Sequence, residues 1–166
     1  MKNLDDFVDF EDGERHGWEN DIGSPDGVLK TEDGPEGSNI FWSGKLQSRQ
    51  PPDPFQASLA KIFTLPGEEQ QSGFLLTSFR YRVHPPEPGE ATTIALTVTG
   101  HISLGHGNFF IDEHTPQGSW LQSDPIKVSY YHKRAPVLIG TSGGEGPAVF
   151  RKLDIDDIKV VQLPNK

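Results

Sequence analysis

The sequence predicts an all-β protein, a two-sheet antiparallel β-sandwich. Three observations lead there. Apolar residues recur at period two in many short runs, and few stretches show helical spacing. Eighteen glycines and 14 prolines, about a fifth of the 166 residues and well above ordinary usage, punctuate those runs. There is a single methionine, and the mean hydropathy of −0.54 suits a modest core in a soluble protein. The length suits one domain over residues 1–166, with residues 1–6 a disordered start.

The elements follow in order. Phe7, Val8 and Phe10 form a short apolar segment ended by Asp12-Gly13. Residues 19–39 are rich in Gly, Asp, Glu, Pro and Asn, and Asp26-Gly27, Asp33-Gly34 and Glu36-Gly37 read as turns. Residues 40–46 are strand-like and aromatic, and residues 47–56, with Pro51, Pro52 and Pro54, read as a loop. Residues 57–65 read as a strand apolar on both faces; a short helix over 55–63 is the alternative, because Phe55, Leu59 and Ile62 also fit helical spacing. The clearest alternation is 73–83. Leu75, Thr77, Phe79, Tyr81 and Val83 point one way, while Leu76, Ser78, Arg80 and Arg82 point the other. Pro85-Pro86 and Pro88-Gly89 break it. Further strands are expected over 92–99, 109–111, 119–122, 126–131, 137–139 and 148–163, the last broken near Asp156-Asp157. Residues 140–147 read as a glycine-rich loop.

Charge is unevenly placed. The first 40 residues hold 12 acids and three bases, which accounts for the whole net charge of −9. Acid runs are ordinarily solvated arms. The competing reading gathers part of this segment around a hard cation such as calcium, which takes six to eight oxygen ligands. The pI near 5.0 excludes nucleic acid as a partner, since phosphate contacts need a basic face. No apolar run approaches 18 residues, so no membrane insertion is expected, and the acidic opening lacks the apolar region of a signal peptide.

Two ends and two internal segments carry a resemblance. Asp9-Phe10-Glu11-Asp12-Gly13 followed by Gly17-Trp18, the segment Leu76-Thr77-Ser78-Phe79-Arg80-Tyr81-Arg82-Val83, then Gly118-Ser119-Trp120, and the closing Leu153-Asp154-Ile155-Asp156-Asp157-Ile158-Lys159-Val160 stand in the same order as in galactose-binding-like jelly-roll modules. The chain resembles the carbohydrate-binding modules of that group. MAM-like adhesion domains open similarly, but the absence of cysteine departs from them, and the acidic stretch 19–39 belongs to neither pattern. The resemblance implies a non-catalytic carbohydrate-binding module, part of a larger extracellular or cell-surface protein, whose partner is a glycan or a cell-surface protein. It also implies a structural Ca²⁺ held by an opening carboxylate and a closing one. Carried onto this chain, these are Glu11 and Asp156, with Asp157 beside them.

Catalytic chemistry is sparse. With no cysteine there is no disulfide, thiolate nucleophile or cysteine–zinc cluster. No GxSxG, P-loop or HExxH motif occurs, so no enzyme activity is expected. His101, His106 and His114 lie within 14 residues of one another, next to Asp112 and Glu113, yet at no recognisable ligand spacing. Sugars are bound by aromatic faces against ring C–H groups and by planar polar groups against hydroxyls. Trp42, Trp120, Phe109, Phe110, Tyr130 and Tyr131 are the available aromatics, and Arg80, Arg82, Asn108 and Gln122 the polar partners. Trp18 and about half of these aromatics are expected in the core. The adjacent pairs Phe109-Phe110 and Tyr130-Tyr131 each put one ring outside. Trp120, Tyr131, Arg80 and Arg82 are the binding residues expected. The alternatives are an adhesion or assembly domain whose sheet face binds protein and, least favoured, a glycoside hydrolase on the same scaffold.

Overall fold

The computed structural model describes residues 4–21, 27–35, 37–49, 55–65, 72–100, 107–131, 134–142 and 148–164. Among them there are twelve strands and no helix: β1 (Asp6–Val8), β2 (Glu19–Asn20), β3 (Val28–Gly34), β4 (Gly37–Gln47), β5 (Phe55–Thr64), β6 (Ser72–Val83), β7 (Ile94–Thr99), β8 (Gly107–Ile111), β9 (Trp120–Gln122), β10 (Ile126–Tyr131), β11 (Arg134–Ser142) and β12 (Phe150–Gln162). They form two antiparallel sheets. The seven-stranded sheet runs β10-β6-β12-β4-β3, with β1 added to β12 and β9 to β6; the five-stranded sheet runs β2-β5-β11-β7-β8. The chain crosses repeatedly between the sheets, as a jelly roll does, and the first and last strands lie side by side.

Period two decides which side chains meet in the middle. Leu75, Phe79 and Val83 of β6, Leu153 and Ile155 of β12, and Trp42 and Leu46 of β4 pack against Leu59 of β5, Leu96 and Val98 of β7, and Val137 and Ile139 of β11. The alternation expected along 73–83 holds: Arg80 and Arg82 face outward. Trp18 is fully buried, and so is Trp42, which sequence reading counts among the available aromatics. Of the adjacent pairs, Phe109 and Tyr130 turn inward while Phe110 and Tyr131 turn out.

The strand expected over 57–65 is present and its helical alternative is not, while three other expectations change. Residues 55–63 form part of β5, not a helix, because this segment supplies the ladder that β11 and β2 need on either side. The acidic stretch 19–39 contains β3, which forms a hairpin with β4 through the Gly34 to Gly37 turn. Residues 4–6, read as a disordered start, are packed: Leu4 is buried, and Asp6 lies in β1 with its carboxylate 3.0 Å from Lys61 Nζ. Residues 140–142, read as the start of a loop, end β11; residues 143–147 lie outside the described residues.

Gly140 explains the last miss. Its hydrogen faces the backbone of β5 at a register shift, and an added methyl would overlap the Gln56 carbonyl and stand 2.7 Å from Ala57 Cα. Glycine here serves close approach of two strands rather than a turn. Gly140→Ala is expected to cost about 1–3 kcal/mol or more, because the obstacle is backbone that cannot swing aside. A lowered urea midpoint at unchanged slope would register it; an unchanged midpoint would mean that β5 and β11 separate freely there.

Candidate functional site

The outer face of the seven-stranded sheet carries the polar side of β6. Arg82 pairs in register with Trp120 of β9, and Arg80 with Gln122. The Arg82 guanidinium lies 4.5 Å from the Trp120 ring centre and 4.9 Å from that of Phe41, whose ring meets Trp120 edge-on at 5.4 Å. Its nitrogens donate to both carboxylate oxygens of Glu32, at 3.0 and 2.8 Å, and to Asp154 Oδ2 at 2.9 Å. His84 Nε2 lies 2.6 Å from the same Asp154 oxygen, and Trp120 Nε1 donates to Glu32 Oε1 at 3.2 Å.

That last bond reveals the shape of the face. Glu32 is on β3 and Trp120 on β9, four strand spacings apart along β9-β6-β12-β4-β3, or about 19 Å on a flat sheet. A tryptophan and a glutamate side chain do not reach that far, so the sheet curls and its margins approach over a trough. A depression of about 570 Å³ opens beside this contact, lined by Phe41, Ser43, Arg82, His84, Asp154 and Lys152 among others, with Glu32 and Trp120 outside its lining. Glu32 is partly buried, which pushes its carboxyl up; hydrogen bonds from Arg82 and Trp120 and the guanidinium charge outweigh this and hold it below the usual carboxylate range. On the rim, Lys152 Nζ lies 2.8 Å from Glu87 Oε1.

The structure thus brings Trp120, Arg80 and Arg82 together, with Arg80 also 5.5 Å from the Trp120 ring centre. Trp120 is not a bare stacking surface: Arg82 and Phe41 already cover part of it. Tyr131 is elsewhere. It pairs with Ser72 at the opposite end of β6, ten residues from Arg82 and roughly 33 Å along the strand. Sequence reading missed Phe41, Glu32, His84 and Asp154. His84 and Asp154 were within reach, since His84 continues the Arg80–Arg82 alternation and Asp154 precedes Asp156 by two. Glu32 had no such signal, as it lies 50 residues from Arg82 in sequence.

The second cluster sits where the chain ends meet. Phe10 is buried with φ of 59°, a left-handed conformation that a bulky residue adopts only under constraint. It turns Glu11 away from β1, and Glu11 Oε1 accepts a hydrogen bond from the Ile40 amide at 2.9 Å. The neighbouring Asn39 side chain hydrogen-bonds Asp156. Consecutive residues of β4 therefore gather Glu11 and Asp156. Asp156 lies at a bulge in β12, where the register shifts and Asp157 has φ of 48°. It is 1% exposed. Burial, the Asp157 charge and the Glu11 charge push its carboxyl up to about 7, against hydrogen bonds from the Asp157 amide and Asn39. The Asp157 carboxylate lies 3.4 Å from Arg80 Nη1.

Among the described residues no group of three or more His, Asp or Glu side chains stands close enough to hold a metal ion. His101 and His106 lie outside the described residues, and His114 is exposed beside Glu113. At the Glu11–Asp156 cluster the donors are hard oxygens, and a buried carboxyl close to a second carboxylate invites a cation. Two carboxylates are the hard donors present there, fewer than the six to eight oxygens that calcium takes.

No family model and no curated protein matches the chain. Among solved structures it is similar to the CBM22-1–GH10 modules of endo-1,4-beta-D-xylanase 10B from Clostridium thermocellum complexed with xylohexaose, at 14% identity and a TM-score of 0.45 over 98% of this chain and 29% of that one. It is also similar to a Bacillus thuringiensis Cry1Da tryptic core variant, at 12% identity and a TM-score of 0.40 over 82% of this chain and 21% of that one. The chain spans less than a third of either structure's length, and both scores fall below 0.5. The architecture rests on the strands themselves, and they make the chain an all-β, two-sheet antiparallel β-sandwich.

Proposed function

We propose that this chain is a non-catalytic glycan-binding β-sandwich that holds a saccharide in the trough of its seven-stranded sheet, with a structural Ca²⁺ at Glu11 and Asp156. The observation that carries the first part is a depression of ligand-site size walled by Arg82 and Phe41, with Trp120 packed against both beside it, where such sites span about 300–1,000 Å³. Each sugar hydroxyl both donates and accepts. The trough answers with the Arg82, His84 and Lys152 nitrogens, the Ser43 hydroxyl and the Phe41 surface for ring C–H groups.

The same network argues against hydrolysis. Glycoside cleavage needs one carboxyl kept protonated beside a second. Glu32 is held below its ordinary range, and it and Asp154 share one guanidinium. Asp156, the raised carboxyl, is buried beyond a substrate's reach. Calcium would supply charge compensation at the joined chain ends and no chemistry.

A glycan array followed by calorimetry on any hit tests the reading. Trp120→Ala is expected to weaken binding at least tenfold, about 1.4 kcal/mol, and Tyr131→Ala to leave it unchanged because Tyr131 stands far along β6. A broad array without signal at high protein concentration, or a hit indifferent to Trp120→Ala, overturns it.

A further inference from the structure

A second depression of about 570 Å³ opens at the sandwich edge, where β8 of one sheet passes the β9–β10 connection of the other. It shares no lining residue with the trough. Tyr81 and Arg82 are neighbours on β6, so their side chains leave the strand on opposite faces.

The lining divides by chemistry. Tyr81 and Phe109, both half-buried, form the aromatic floor with ring centres 5.1 Å apart. Phe110 stands on the rim at 63% exposure, the most exposed large hydrophobic among the described residues. At the cleft mouth its ring offers apolar surface to a ligand. Around these rings lie Asn108, Gln122 and Asp124. The Gln122 amide nitrogen is tied to the Phe79 and Ser123 carbonyls, at 3.2 and 3.3 Å, which fixes the side chain and leaves its oxygen as an acceptor. The phenol of Tyr81 is pushed up by burial and by the Asp124 charge. Lys127 also lines the cleft, so the lining holds one acidic and one basic residue and carries no net charge, and the Lys127 ammonium itself lies 4.1 Å from the Phe74 ring centre.

We propose that this edge cleft is a second saccharide site, taking a neutral pyranose ring on Phe109 and Tyr81 beside the rim residue Phe110, with its hydroxyls on Asn108, Gln122 and Asp124. Rings present apolar faces to C–H groups, and amide, phenol and carboxylate oxygens answer hydroxyls in both directions. The site is independent of the trough and stands if the trough binds nothing.

The test is a ¹H–¹⁵N titration of the full chain with β-1,4-linked hexasaccharides of xylose, glucose and mannose, up to 10 mM. At least one is expected to shift the amides of Asn108, Phe110 and Asp124, with saturation. Phe110→Ala and Asp124→Ala are each expected to raise the dissociation constant read at these amides at least tenfold. Both residues are exposed, so an unchanged melting curve keeps the comparison clean. Trp120→Ala is expected to leave this constant within twofold. Shifts at the cleft but not around Trp120 and Arg82 support this site and sink the trough reading. Shifts confined to the trough, or cleft shifts indifferent to Phe110→Ala and Asp124→Ala, overturn the second site and leave the trough reading standing. No response to any of the three sugars overturns it as well.

Discussion

Stripped of divalent cations by EDTA, the domain is expected to lose stability as pH rises through about 7, and to regain it at pH 8 with millimolar calcium. The cause is Asp156, whose carboxyl is raised from 3.8 in the unfolded chain to about 7 by burial and by the charges of Asp157 and Glu11. Below 3.8 both states are protonated. Between 3.8 and 7 the folded state keeps a proton that the unfolded state has shed, and above 7 the folded state carries a buried anion. The contribution is therefore full at low pH and lost as pH climbs through the folded value, with a ceiling of about 4 kcal/mol. A cation binding only the folded state adds RT ln(1 + [L]/Kd), about 2.7 kcal/mol at a hundredfold excess over Kd. At roughly 2–4 °C per kcal/mol that is a rise of about 5–10 °C in melting temperature.

Asp156→Asn separates this residue from every other group that titrates. The variant is expected to be more stable than the wild type at pH 8 in EDTA, flatter with pH, and indifferent to calcium. Glu11→Gln should abolish the calcium response but keep most of the pH dependence, because burial is the larger cause of the shift. Superimposable wild-type melting curves in EDTA and in calcium at pH 8 would remove the cation. Equal stabilities at pH 5 and pH 8 in EDTA, measured against Asp156→Asn, would remove the buried carboxyl.

Local pattern makes most of the sandwich legible in sequence, and the misses have local causes. Strand β10 is read to its end residues because apolar positions alternate without interruption from Ile126 to Tyr130. Strand β3 escapes, since an edge strand at the sheet margin buries little and is mostly polar: Lys30, Thr31, Glu32 and Asp33 leave no apolar period to detect. Gly140 ends the reading of β11 early because a glycine selected for close strand approach looks the same in sequence as one selected for a turn. The site divides likewise. Arg80, Arg82 and Trp120 are visible because β6 alternates and β9 pairs beside it. Glu32 depends on the curl of a whole sheet, a property no segment encodes. The acidic N-terminal quarter is likewise more than a solvated arm: Glu11 reaches β4 and Glu32 reaches Arg82.

Arg82→Met is expected to cost about 3–5 kcal/mol of stability together with trough binding. Methionine keeps the length of the side chain but withdraws the one charge that faces both Glu32 and Asp154. Asp154 is only 4% exposed and would keep only His84, and a buried charge stripped of its partner is what makes such substitutions costly. Arg82→Lys should recover part of the loss, because a single ammonium cannot fork to two carboxylates and lie over Trp120 and Phe41 at once. Adding Asp154→Asn to Arg82→Met removes the orphaned charge, so the double variant is expected to be more stable than the single one, a non-additivity that neighbours in one network require. Urea midpoints of the wild type, Arg82→Met, Asp154→Asn and the double variant measure the cycle. A cost below about 1 kcal/mol for Arg82→Met would place the network among solvated surface pairs. The trough would then lack the fixed guanidinium on which the proposed sugar recognition depends.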